Sequence, residues 1–255
     1  MLTSYLTSTR SLLQLPGSNS TSLYSDVDLT RFINTARGQV AGEGECIRVH
    51  GTIPTVVGQE SYQFSGINVG VPATTGVQGV INIQSMHYVV GNGQLWLTPR
   101  PWPWFTLYNR NNAAPQPGPP KEWAQYGQGA APSGIANTQI SGGSFYISPL
   151  PDDIYTLNCN TICYPQALAL DTDVEALPYY WTDAVPFFAA YFALMSAQTN
   201  ARMAEAAQMY KGHYNEFMSR ARNQSNPSVN SWIYSQAGDP AQAQKMGIKA
   251  GGAAQ

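Results

Sequence analysis

Charge is what this sequence has least of. Asp, Glu, Lys and Arg make up 11% of 255 residues and the formal net charge is −2, against roughly 25% charged residues in an ordinary soluble domain. So weak a field excludes the basic footprint with which proteins hold nucleic acid tightly. Gln, Asn, Ser and Thr carry the polar role instead. Such a surface suits a subunit covered in large part by neighbours, because a free monomer depends on charge to stay soluble. Cysteine and histidine are also scarce. Cys46, Cys159 and Cys163 cannot all pair within one chain, and His50, His87 and His213 are scattered, so the short paired spacings of a zinc site are missing and the thiols read as small apolar packing groups. No run approaches the roughly 20 apolar residues of a membrane span; FFAAYFALM is short and leads into polar sequence. MLTSYLTSTRSLLQLPG has neither the basic start nor the apolar stretch of a signal peptide, so the expectation is a soluble chain made inside the cell.

Catalytic patterns are lacking as well. No Gly-x-Ser-x-Gly elbow occurs, and the glycine-rich GINVG and GQGAAPSG are not followed by the Lys-Ser/Thr of a phosphate loop. Asp152-Asp153 and Asp171, Asp173 and Glu175 are the carboxylate groupings. DTDVEALP lacks the ligand spacing and the glycine of a calcium loop, and Asp suits turns, so both groups read as turn and helix-approach residues. The expectation is a protein that is not an enzyme and holds no metal or cofactor. Trp102, Trp104 and Phe105, in PWPWF, are the strongest binding signal, but only Arg100 and Arg110 lie near. A nucleic-acid stacking platform comes with a basic groove, so core or intersubunit packing is the favoured use. A carbohydrate-binding module is the alternative.

What is present is 43% apolar residues, enough for a substantial core, arranged in segments of different period. Residues 1–49 read as two helices. Leu2, Leu6 and Leu13 share one face before Pro16-Gly17; Ser25 is an N-cap with Asp28 in capping-box register; Leu29, Ile33, Ala36 and Val40 form one stripe, ended by Gly42 and Gly44. From 46 to 164, alternating and β-branched runs are broken by Gly, Pro and Asn, with Gly91-Asn92-Gly93 as a hairpin turn, 109–120 as an exposed Pro-rich loop, and Leu150-Pro151-Asp152-Asp153 as a turn before the last strand. A single long helix is then predicted from about Thr182 to Arg222, with Pro186 in its first turn. Val185, Phe188, Phe192, Met195, Met203, Ala206, Tyr210, Tyr214 and Phe217 trace its apolar face. About 40 residues at about 1.5 Å each make a rod of about 60 Å, too long for one small domain to cover. The fold class is therefore α+β: a helical domain (1–45 and 165–222) with an inserted antiparallel β module (46–164) and an extended tail (223–255) carrying an apolar Trp232-Ile233-Tyr234 patch.

The order of SLYSDVDLTRFINTARGQVAGEGECIRV, PLPDDIYTLNCNTICYPQAL, DTDVEALPYYWTDAVPFFAAY and AEAAQMYKGHYNEFMSRAR, with an A-x-x-Y-x-x-x-Y pattern at Ala207, Tyr210 and Tyr214, resembles the head–tail adaptor (neck, or connector) proteins of tailed phages, of the podovirus tail-tube adaptor kind. The resemblance covers about residues 22–222. It implies a virion structural protein at the head–tail junction, assembled in the host cytoplasm: a homo-oligomeric ring, usually of twelve copies, that joins the portal protein to a tail nozzle or tail-completion protein, with tail fibres as a further contact. DNA would pass through without specific binding. It also implies that Phe188, Phe192, Met195, Met203, Tyr210, Tyr214 and Phe217 meet neighbouring copies, that Trp232, Ile233 and Tyr234 dock on the portal, and that Trp102, Trp104 and Phe105 make a tail-side or intersubunit contact. Another tail or head-completion protein is the competing reading within the virion.

Overall fold

The structure, a computed structural model, describes residues 1–14, 24–91, 93–106, 117–127, 143–196 and 201–225. It begins with helices α1 (Leu2–Leu12) and α2 (Asp26–Gly44), as the leucine spacing and the Ser25 cap predict. The Ser25 hydroxyl accepts from the Asp28 N–H (3.1 Å) and the Asp28 carboxylate accepts from the Ser25 N–H (3.3 Å), a reciprocal cap that contributes about 1 kcal/mol. Leu29, Ile33, Ala36 and Val40 are all fully buried. The helix runs through Gly42 and ends at Gly44, with Glu45 left-handed at φ 47°. Gly44 is glycine for a packing reason: a Cβ there would lie 2.5 Å from the Trp181 indole.

The middle of the chain forms β1 (Arg48–Pro54), β2 (Ser61–Gln63), the short helix α3 (Pro72–Thr75), β3 (Val77–Val90), β4 (Gly93–Trp96), β5 (Thr98–Pro99), the turn-length helix α4 (Trp102–Trp104), β6 (Glu122–Tyr126), β7 (Ser144–Ser148) and β8 (Thr156–Pro165). They build two four-stranded sheets, ordered β1-β8-β3-β4 and β2-β7-β6-β5. In the first, β8 is central, paired antiparallel with both β1 and β3. Its residues 157, 159, 161 and 163 point into the core, where Leu157, Cys159, Thr161 and Cys163 are fully buried. The Thr161 hydroxyl donates to the Val49 carbonyl at 2.7 Å, which removes the penalty of burying it. Val90 pairs with Gly93 across the predicted hairpin turn, with Gly91 at φ 58°; Asn92 lies outside the described residues. The module is not wholly antiparallel: β5 and β6 pair in parallel. A parallel pair needs a crossover of a dozen residues or more, and the segment from 100 to 121, most of it read as a Pro-rich loop, supplies 22.

The single long helix is not found. In its place stand α5 (Tyr179–Thr182), α6 (Ala184–Ser196) and α7 (Ala201–Ser225). Helices α6 and α7 run antiparallel, face to face. The rings of Phe187 and Phe217 stack with centroids 5.1 Å apart, those of Phe188 and Tyr214 lie at 4.4 Å, and Lys211 sits over Tyr191. The stripe that looked continuous is thus two stripes that bury each other. Helix α6 is apolar nearly all round because α1, α2 and α7 pack about it. One core cluster joins the layers, from Ile33, Val40 and Val185 to Met86, Phe145 and Leu157.

Candidate functional site

The acidic approach to the helices has a structural role at each carboxylate. Asp171 accepts from the Met1 nitrogen (2.7 Å) and the Thr3 N–H (3.0 Å); those hydrogen bonds, that of the Met1 ammonium first, hold its carboxyl down at about 2. Asp173 accepts from the Ala169 and Leu170 N–H groups (2.6 and 2.7 Å), which also hold its carboxyl below the usual range. The Glu175 side chain, 6% exposed, meets that of Arg37, only 1% exposed, in a two-pronged pair: Nη2 to Oε1 at 2.7 Å and Nε to Oε2 at 3.0 Å. The other guanidinium nitrogen donates to the Gln166 carbonyl (2.7 Å) and to Asn34 Oδ1 (3.2 Å), and Glu175 also accepts from the Leu177 N–H (3.0 Å). Both charges are fully engaged, as a buried pair requires. The Tyr5 phenol beside them is pushed up by burial and then by the charge of Glu175. This network ties α1 and α2 to the segment that leads into α5.

Most of the aromatic positions in the helical motif turn inward. Phe188 and Tyr214 are buried, and Phe192, Met203, Tyr210 and Phe217 are half-buried; Met195 is 36% exposed. Tyr214 donates to Glu43 Oε2 (2.8 Å) and Tyr210 to the Leu12 carbonyl, so the two tyrosines of the A-x-x-Y-x-x-x-Y pattern fasten α7 to α2 and α1. Burial, then the hydrogen bond to Glu43, pushes the Tyr214 phenol up. Trp102 and Trp104 are half-buried and Phe105 is buried. Trp102 packs on Tyr146 (4.5 Å) and Tyr126 (4.7 Å), and Arg100 lies over Trp104 (4.5 Å) while pairing with Glu122 (2.7 Å). The PWPWF segment therefore braces the second sheet. Trp232, Ile233 and Tyr234 lie outside the described residues, as does most of the 109–120 loop. Burial pushes the Cys46 and Cys159 thiols up to about 12, so they stay protonated at neutral pH and act as packing groups.

The exposed apolar groups lie elsewhere. Pro54, Thr156, Val90 and Gly93 share one end of the first sheet, and Val56, Val57, Val89, Val90, Leu95, Trp96 (59% exposed) and Ile154 (67% exposed) cluster at that end. A crown of large apolar side chains on one face of a chain marks an interaction surface. The signal that could have found it is the absence of any Asp, Glu, Lys or Arg from Ser61 to Pro99. At the other end, Tyr179 and Tyr180 are exposed beside buried Trp181. No grouping among the described residues could hold a metal ion, and none of their helices is long and apolar enough to cross a membrane.

The sequence matches the SU10 adaptor protein family over residues 3–235. The chain belongs to that family. It is a phage adaptor protein with a structural role between head and tail, which implies a non-catalytic chain and a place in the virion. No curated protein matches it. The match takes in α1 through α7 and ends just past Tyr234.

Proposed function

We propose that the adaptor assembles as a ring, of twelve copies, on the portal, that its tail docks on the portal through Trp232, Ile233 and Tyr234, and that its other end carries a tail nozzle or tail-completion protein. The observation that carries this reading is the family match over residues 3–235. The low charge supports it, since a lumen for DNA must not hold it by its phosphates. The match also runs ten residues past the end of α7 and so includes the apolar patch of the tail. The PWPWF segment, with Trp102, Trp104 and Phe105 packed against the second sheet, stands as a tail-side or intersubunit contact, beside the apolar crown of the first sheet. Because α6 and α7 bury most of their shared face within the chain, neighbours would meet through its remaining surfaces, Met195 among them, and not through Phe188 or Tyr214.

Ordering a tail on a partner has an entropic cost, so docking follows only where the portal offers enough surface. Truncation after Gln224 is expected to leave the melting temperature of the chain unchanged while weakening co-purification with the portal at least about tenfold, roughly 1.4 kcal/mol or more. Undiminished portal binding by the truncated chain would contradict the assignment of the tail.

A further inference from the structure

Strand β4 ends the first sheet, and among the described residues it has only β3 as a strand neighbour. Gly93 pairs with Val90 across the turn, and the Leu97 N–H donates to the Met86 carbonyl (2.9 Å) just past the strand. Hydrogen-bonded pairs alternate along an antiparallel ladder. Gly93 and Leu95 therefore bond inward to β3, while the N–H and C=O of Gln94 and Trp96 face away from the sheet. The 4.5 Å approach of the His87 and Trp96 rings agrees, because side chains come closest at non-hydrogen-bonded pairs. Such an edge is normally guarded by a lysine, a proline or a bulge. Residues 93–96 hold no charge and no proline. Leu95 and Trp96, on opposite faces of the strand, are both exposed.

The opposite edge of the sheet offers no match for the β4 edge of another copy. Its strand, β1, begins at Arg48 and ends at Pro54, and Thr52 already exchanges both backbone hydrogen bonds with Asn68 (3.1 and 2.9 Å). The first sheet therefore does not run on from copy to copy, and β4 paired with β4 gives a closed two-fold dimer, not a ring. Position decides among the other partners. The last turns of α7 lie beside the start of β1, where Arg222 donates to the Glu43 carbonyl (2.9 Å) and lines one cleft with Cys46 and Arg48. The chain thus continues past Ser225 from the end of the sheet at which Arg48 faces Ile162. The β3–β4 turn and the apolar crown stand at the other end, where Pro54 faces Thr156 and Tyr88 faces Leu157. The length of β1 sets the two ends about 20 Å apart. We infer that the β4 edge seats the tail-side protein, which adds an extended, uncharged segment to this four-stranded sheet and lays apolar side chains on Leu95 and Trp96. In such strand addition, main-chain hydrogen bonds, here to Gln94 and Trp96, give affinity and the flanking side chains give specificity. The inference rests on the adaptor reading, in which the end away from the portal carries the tail, and adds the surface and the mode of binding.

The test uses the full chain bound to the portal protein of the same phage, with that phage's tail nozzle protein as the probe. Gln94→Pro removes only an outward N–H, and Trp96→Lys places a guard charge on the edge. Each is expected to weaken nozzle binding to the portal–adaptor complex about tenfold or more, while portal binding and the melting temperature of the free chain hold. Hydrogen exchange on the wild-type complex should show protection at 93–96 that arises only when nozzle protein is added. Unchanged nozzle binding by either variant would overturn the inference and leave the adaptor reading standing. So would full protection at 93–96 before nozzle protein is added, since a neighbouring copy, the portal or the chain's own tail would then hold that edge. A wild-type complex that forms on the portal yet binds no nozzle protein would overturn the inference together with the tail-side half of the adaptor reading. A chain that never joins the portal would overturn both readings.

Discussion

Glu175→Ala is expected to lower the stability of the adaptor by about 3–5 kcal/mol, because it leaves the Arg37 guanidinium buried with no countercharge. Arg37 is 1% exposed and fixed by three residues, Glu175, Asn34 and Gln166, so it has no path to water without displacing the core. The loss should appear in urea denaturation as a lower midpoint with an unchanged slope. Arg37→Met combined with Glu175→Leu is expected to cost less than Glu175→Ala alone, since removing both charges leaves no unpaired ion. A single variant as stable as the wild type would show that the pair does not hold α2 to the approach segment.

Phe188→Ala is expected to cost about 3–5 kcal/mol in the isolated chain. The ring sits between Tyr214 (4.4 Å), Phe192 (4.8 Å) and Tyr191 (5.6 Å), so its removal opens a cavity where α6 meets α7. Two architectures give opposite results here. If α6 and α7 formed one rod with Phe188 facing a neighbouring copy, the variant would weaken assembly and spare the monomer. The antiparallel pair predicts that the monomer itself loses stability, seen as a lower melting temperature before any portal is added. Unchanged monomer stability would contradict the packing described.

The sequence made local devices legible and left long-range pairing dark. The Ser25–Asp28 cap, the stripe from Leu29 to Val40 and the turn at Gly91 depend on residues within a few positions of one another, and each lies where spacing puts it. The helix break was not legible. Met195 and Met203 are eight residues apart and hold the stripe's phase, and periodicity reports which side of a helix is apolar, not whether that side meets a neighbour or its own continuation folded back. Arg37 and Glu175 are 138 residues apart. Glu175 read as an approach-loop residue like Asp173, and only the fold reveals that it buries a charge. The apolar crown escaped because Val89, Val90 and Ile154 have the composition of ordinary strand residues; exposure is set by where the sheet ends. Trp102 and Trp104 read as candidate contacts, yet Tyr126 of β6 and Tyr146 of β7 pack on Trp102 and Arg100 lies over Trp104.

The most direct test of the adaptor reading is native mass spectrometry of this chain mixed with the portal protein of the same phage. The account predicts a complex with one adaptor per portal subunit, twelve on a twelve-fold portal, and only small species when the portal is left out. A chain that stays monomeric in the presence of assembled portal would contradict it.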